Sequence, residues 1–237
     1  TLWNSDYRYH VVTGGRGSGK SFSVTLFLLT LTFEKGHVIL FTRYTLTSTK
    51  TSILPQFIEV MEAMGYDENT FQITSDEIVN KNTGSKILFK GIKTSSGVQT
   101  ANLKSLTGVT TWVLDEAEEL VDEDIFQKID YSVRVKGLKN RIILVMNPAT
   151  KTHFIYERFF LQNARNTNYI HTTYKDNEAN LSDDVLQDYE RLKETNYERY
   201  KHVVLGGWLD KADNLVFPEW EEEEFNESVP YIWGMDF

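Results

Sequence analysis

Short, nearly continuous apolar runs recur along this chain, and stretches of helical spacing lie between them. "YHVVT" (residues 9–13), "HVILFTR" (37–43), "TTWVLDE" (110–116), "NRIILVMN" (140–147) and "YIHTTY" (169–174) each read as strands. Three of them are apolar almost throughout, as a parallel strand buried on both faces must be. "SFSVTLFLLTLTF" (21–33) continues as a buried helix. "ILPQFIEVMEAMG" (53–65) carries apolar residues at helical spacing and stops at Gly65. "DEIVNKNTGSKILFKGI" (76–92) predicts two strands around the turn Asn82-Thr83-Gly84. "DDVLQDYERLKETNYERYKHVVLGGW" (183–208) predicts two helices, broken near Asn196 and ended by Gly206-Gly207. No internal repeat is present. Strands alternating with helices imply an α/β fold, a mostly parallel central sheet flanked by helices. In such sheets ligands bind at the carboxyl ends of the strands.

The first strand end carries the most specific chemistry. "GGRGSGKS" satisfies the phosphate-loop pattern through Gly14, Gly19, Lys20 and Ser21. Backbone N–H groups of Gly14, Gly15, Arg16, Gly17, Ser18 and Gly19, with the helix N-terminus, can cradle phosphates. Lys20 neutralises β and γ oxygens, and the Ser21 hydroxyl reaches Mg²⁺. The required context, a strand before and a helix after, is there. Arg16 either reaches the γ-phosphate from the same subunit, or points to solvent or to a nearby acid.

A second strand ends in Asp115 and Glu116. An acid there holds Mg²⁺ through water opposite Ser21, and a second carboxylate beside it can polarise an attacking water. Alone, "DEAEEL" also reads as the acidic start of a helix. After the phosphate loop, the pair predicts hydrolysis of a nucleotide, with Asp115 for metal and Glu116 as general base. Asn147 ends a third strand. It can contact the γ-phosphate or the lytic water, or simply form an Asn-Pro turn.

Bulk properties bound these readings. A chain of 237 residues holds one large α/β domain, or a domain and part of a second. The absence of cysteine excludes disulfides, thiolate metal sites and cysteine nucleophiles. The longest apolar stretch, Phe22 to Phe33, is too short for a bilayer and is interrupted by Ser23, Thr25, Thr30 and Thr32. No secretory segment opens the chain, and its start at Thr1 suggests trimming. A net charge of −9 excludes a protein coated in basic surface. Lysines and arginines nonetheless gather at Lys81, Lys86, Lys90 and Lys93, and at Arg134, Lys136, Lys139 and Arg141, which leaves room for a local basic face but not a global one.

Several motifs together resemble one family. "GGRGSGKS" with its internal arginine, "FTRYTLTSTKTSILPQF", "LDEAEEL", "MNPATKTHFIYERFF" and "LGGWLD" look like the large subunit of tailed-bacteriophage terminases, over most of Tyr7 to Asp210. The resemblance implies a P-loop NTPase of the additional-strand, catalytic-glutamate (RecA-like) type. It implies ATP and Mg²⁺ as ligands, and hydrolysis that drives double-stranded DNA into a procapsid. Portal protein and terminase small subunit would be partners. The working form would be a ring, commonly a pentamer, docked on the portal in the host cytoplasm, with a monomer in isolation.

By the same resemblance residues 1–178 form the ATPase core, 179–212 a helical subdomain or lid, and 213–237 a linker into a ribonuclease H-like nuclease. Asp236 in "YIWGMDF" resembles that nuclease's first metal ligand, and its other carboxylates would lie past Phe237. Two departures stand out. Family members carry a trans-acting arginine shortly before the acidic strand, where this chain reads "ANLKSLTGV" with Lys104. The upstream adenine-contact segment is short, leaving Tyr7 and Arg8 as candidates. Competing readings are another nucleic-acid-dependent translocase or helicase, and a nucleotide-gated scaffold with little turnover.

Overall fold

The computed structural model describes residues 1–3, 6–45, 53–94, 97–98, 103 and 106–210. Lys104, Asp236, the segment 46–52 and the linker 213–237 therefore lie outside the described residues.

Every apolar run forms a strand. β1 (Tyr9–Gly14), β2 (Val38–Thr45), β5 (Lys86–Thr94), β7 (Val109–Asp115), β8 (Arg141–Met146) and β9 (Thr167–Thr172) are all parallel to their partners among these six. β3 (Phe71–Ile73), β4 (Glu77–Asn80) and β6 (Gly97–Val98) add antiparallel pairs. The path runs β3-β4-β5-β2-β7-β8-β1-β9, with β6 on β5. β7 is the clearest case of a strand covered on both faces, since all seven residues are buried.

Alternation along the strands divides the core in two. On one face Val12, Ile39, Phe41, Ile87, Phe89, Val113 and Ile143 pack against the helices α1 (Lys20–Leu31) and α2 (Leu54–Ala63). On the other, Val11, Leu40, Trp112, Leu114, Ile142 and Leu144 meet α3 (Glu123–Asp130) and the π-helical turn Tyr156–Leu161. Trp112 is fully buried but satisfied, its indole N–H donating to Thr42 Oγ1 at 2.9 Å. Neither β3 nor the π-helical turn was legible in the apolar pattern.

The two C-terminal helices form as expected. α4 (Asp183–Thr195) and α5 (Tyr197–Val203) are separated by Asn196, whose side chain accepts from the Arg199 N–H at 3.0 Å and caps α5. They share a small core of Tyr174, Tyr200 and Val204 with Leu181, Leu186 and Tyr189. Among the described residues no helix is long and apolar enough to cross a membrane.

Candidate functional site

Strand order brings the polar ends of four parallel strands side by side. β2, β7, β8 and β1 are consecutive in the sheet. The register Thr42↔Leu114 sets Arg43 abreast of Asp115, and Asp115↔Val145 puts Asn147 just beyond. Lys20, Ser21, Arg43, Asp115, Glu116, Glu118 and Asn147 line one cleft of about 110 Å³.

The loop after β1 is shaped for an anion. Gly19, at φ 75°, is the N-cap of α1, a conformation costly for any residue with a Cβ. It offers no side-chain cap, and the first turn contains no acid, so the helix's leading N–H groups stay open for a phosphate. Gly15 is needed for a different reason: a Cβ there would sit 1.8 Å from the Val204 carbonyl oxygen. Ser18 Oγ ties the loop by donating to Gly15 O at 2.9 Å. Gln56 on α2 braces the helix start, donating to Ser21 O at 3.1 Å and to Thr25 Oγ1 at 2.6 Å.

Lys20 folds onto its own loop. Its ammonium donates to Gly14 O and Gly15 O at 3.0 Å and to Asn147 Oδ1 at 2.9 Å. Burial lowers its pKa, and the charges of Glu118 and Asp115 oppose that shift. Asp115 is buried and paired with Arg43, whose Nε and Nη2 both lie 2.8 Å from Oδ2. Arg43 Nη1 stands 3.6 Å from Glu116 Oε1.

Adjacent strand residues normally face opposite sides of a sheet. Glu116 breaks that rule with φ 53° and ψ 48°, a left-handed conformation that lets Asp115 and Glu116 line the same cleft. The strain for a non-glycine residue is on the order of 1–2 kcal/mol. Burial raises the Glu116 pKa, and Arg43 opposes the rise.

Glu118 escaped sequence reasoning. It lies on the short 3₁₀ turn Ala117–Glu119, and Oε1 accepts the Asn147 N–H at 3.3 Å. Oε2 is buried without a hydrogen-bond partner. Burial pushes its carboxyl up to about 7, against the Asn147 N–H, which favours the ionised form. Arg43 was noticed only as part of a motif. Its signal was available, since it ends a buried apolar run just as Asp115 and Asn147 do.

Arg16 does not join this cleft. Its N–H donates to Val203 O at 2.9 Å, and its exposed side chain borders a separate cleft of about 410 Å³ with Tyr189, Arg191 and Arg199. Arg8 is also elsewhere. It sits at the far end of β1, donating from Nη2 to Asp130 Oδ1 at 2.6 Å and to the Asp130 carbonyl at 2.9 Å. A wider cleft, about 580 Å³, opens on the other side of the loop, where Ser18, Gly19, Phe22 and Ser23 face Asp176 and Asn177. Asn177 Nδ2 donates to Gly17 O at 2.9 Å.

The sequence matches the profile described as "Phage terminase large subunit" over residues 6–207. The chain belongs to the phage terminase large subunit family. It is 24% identical to the PBSX phage terminase large subunit of Bacillus subtilis over 93% of this chain and 53% of that protein. The large terminase of the thermophilic bacteriophage D6E superposes with a TM-score of 0.70 at 19% identity, over 88% of this chain and 52% of that one. That protein has also been solved with ADP. The ATPase domain of the Thermus phage P74-26 large terminase superposes with a TM-score of 0.56 at 15% identity, over 85% of this chain and 88% of that domain. This terminase chain thus spans about half the length of the full-length relatives it matches. Its fold is the P-loop type of the terminase ATPase domains, a mostly parallel sheet with this cleft at the ends of its parallel strands.

Proposed function

We propose that this chain is a Mg²⁺-dependent ATPase whose turnover drives double-stranded DNA into a procapsid. The observation that carries the reading is the convergence of Lys20, Ser21, Asp115, Glu116 and Asn147 on one cleft beside an uncapped helix start.

The donor set fits a metal delivered with the nucleotide. Among the described residues no group of three or more His, Cys, Asp or Glu could hold a metal alone. Ser21 and Asp115 instead offer two hard oxygens, and Mg²⁺ characteristically takes one or two protein oxygens plus phosphates and water. Bound there, Mg²⁺ neutralises charge on the transferring phosphoryl group. Lys20 exchanges its loop carbonyl and Asn147 partners for phosphate oxygens, freeing the Asn147 amide, whose Nδ2 donates to the γ-phosphate and whose Oδ1 accepts from the attacking water. The Glu116 carboxylate accepts that water's proton. The N–H groups of the loop and of the α1 start, apart from that of Arg16, which donates to Val203 O, hold the β-phosphate. The wider cleft at Phe22 and Asn177 takes the base and ribose. Arg16 reaches the γ-phosphate only by turning its side chain away from α4 and α5.

Residues 1–178 form the ATPase core in this reading and 179–212 a lid. Residues 213–237 lead into the nuclease, with Asp236 as its first metal ligand. Portal, small subunit and a ring of copies docked on a procapsid in the host cytoplasm complete the proposal. Lys104 stands where the family places its trans-acting arginine. The basic groups near β5 and at Arg134–Arg141 are the candidate DNA contacts, and neutralising both is expected to remove DNA-stimulated turnover.

Glu116→Gln tests the chemistry. A positioned general base contributes about 10²–10⁴-fold, so hydrolysis should fall by that factor while ATP affinity survives. Hydrolysis at the parental rate would refute Glu116 as the base. Undiminished affinity in Lys20→Ala would refute the loop as the phosphate site.

A further inference from the structure

The nucleotide cleft contains a guanidinium that the proposed reaction does not use. Arg43 is 17% exposed at its side chain, lies near the end of β2, and makes two 2.8 Å contacts to a single oxygen, Asp115 Oδ2. Its third nitrogen stands 3.6 Å from Glu116. One cation therefore covers both carboxylates on which hydrolysis depends. Arg16 borders a different cleft, so among the described residues Arg43 is the arginine that lines this one.

We propose that Arg43 is a positioning residue that occupies the metal-facing carboxylate until nucleotide arrives and then yields it to Mg²⁺. The inference rests on the reading of Asp115 as a metal-facing residue. Without a cation, Asp115, Glu116 and Glu118 would crowd like charges into a small cleft. The planar guanidinium offsets one of these charges while contacting two of the carboxylates, and fixes their orientation, which an ammonium, a point charge, does less well. Asp115 Oδ2 is the oxygen that would hold a divalent ion, so the guanidinium on it would compete with that ion. Displaced from Asp115, Arg43 still neighbours Glu116, with Nη1 3.6 Å from Oε1, and holds that carboxylate toward the cleft. Arg43 thus opposes metal entry and supports the base, two effects that a purely structural arginine would not combine.

The two effects separate in one experiment on the full chain. Binding of a fluorescent ATP analogue is titrated with Mg²⁺ at fixed nucleotide for the parent, Arg43→Gln, Arg43→Lys and Asp115→Asn, and kcat for ATP is measured at saturating Mg²⁺. Removing two charge-assisted hydrogen bonds to the competing oxygen should lower the Mg²⁺ midpoint of Arg43→Gln about fivefold to tenfold, with kcat falling by at least about tenfold. Arg43→Lys should shift both in the same directions by less, and it carries the test if the glutamine variant does not fold. A Mg²⁺ midpoint unchanged or raised in both Arg43 variants overturns the inference. If Asp115→Asn raises the midpoint while the Arg43 variants leave it alone, the inference fails and the reading of Asp115 stands. If Asp115→Asn does not move it either, both fall.

Discussion

Each end of the parallel sheet holds a cluster of cationic and acidic side chains, and the two clusters are finished to different degrees. At the amino end, Asp130 is 1% exposed and fully engaged. It accepts from Arg8 at 2.6 Å and from the Tyr9 hydroxyl at 2.8 Å, with Arg158 at 3.6 Å. Arg158 in turn pairs with Glu123 at 3.0 Å and lies over the rings of Tyr9, Phe126 and Phe159. At the carboxyl end, Glu116 is held in a left-handed conformation, Glu118 Oε2 has no partner, and Lys20 rests on its own loop carbonyls. Completed pairing locks the fold. Incomplete pairing is what a ligand can complete.

The comparison breaks most visibly at Asp130. Removing one partner from a buried ion cluster costs about 3–5 kcal/mol, because the remaining charges stay buried. Asp130→Asn should lower the thermal midpoint accordingly, while the folded fraction keeps its affinity for ATP at low temperature. An unchanged midpoint would show that the amino-end cluster is ornamental to stability.

At the carboxyl end the signs reverse, because simplifying the site should stabilise the empty protein. Burial raises the Glu118 carboxyl from an ordinary 4.5 to about 7. Below the unfolded value both states are protonated and nothing is lost. As pH rises from about 4.5 through about 7, only the unfolded chain ionises freely, so the folded state loses stability. Glu118→Gln removes this loss and should be the more stable protein at pH 8 by on the order of 2 kcal/mol, and not at pH 4. Denaturant titrations of nucleotide-free protein at both pH values decide it, and equal differences at the two would contradict the account. Smaller still, Glu116→Gly relieves the left-handed strain and should add about 1 kcal/mol, read as a higher denaturation midpoint. A lower midpoint would mean that the carboxylate's contact with Arg43 outweighs the backbone cost.

The same contrast explains what could be read from the sequence. The phosphate loop and the strands before Asp115 and Asn147 were legible because local pattern and tertiary role coincide. A parallel strand must be apolar throughout, so the first polar residue after it marks the ligand edge. Arg43 closes such an apolar run within β2, yet its pairing with Asp115 depends on β2 lying beside β7, and strand order is not encoded in any single run. Glu118 was hidden because three acids after a strand look alike until a turn selects one for burial. Arg158 belongs to the motif "MNPATKTHFIYERFF", while its place in the Asp130 cluster depends on a distant helix. Arg8, a candidate for adenine contact from its position upstream of the loop, is separated from the Gly14–Ser21 loop by the whole of β1. β3 pairs through only three residues, too few for alternation to register.

The most direct test of the central claim is a crystal structure of this chain with Mg²⁺ and a non-hydrolysable ATP analogue. The account predicts the γ-phosphate within hydrogen-bonding distance of Lys20 and Asn147. It also predicts metal between Ser21 and Asp115, a water between the γ-phosphate and Glu116, and Arg43 parted from Asp115. A triphosphate lodged away from the Gly14–Ser21 loop, or a metal ion that leaves Asp115 paired with Arg43, would contradict it.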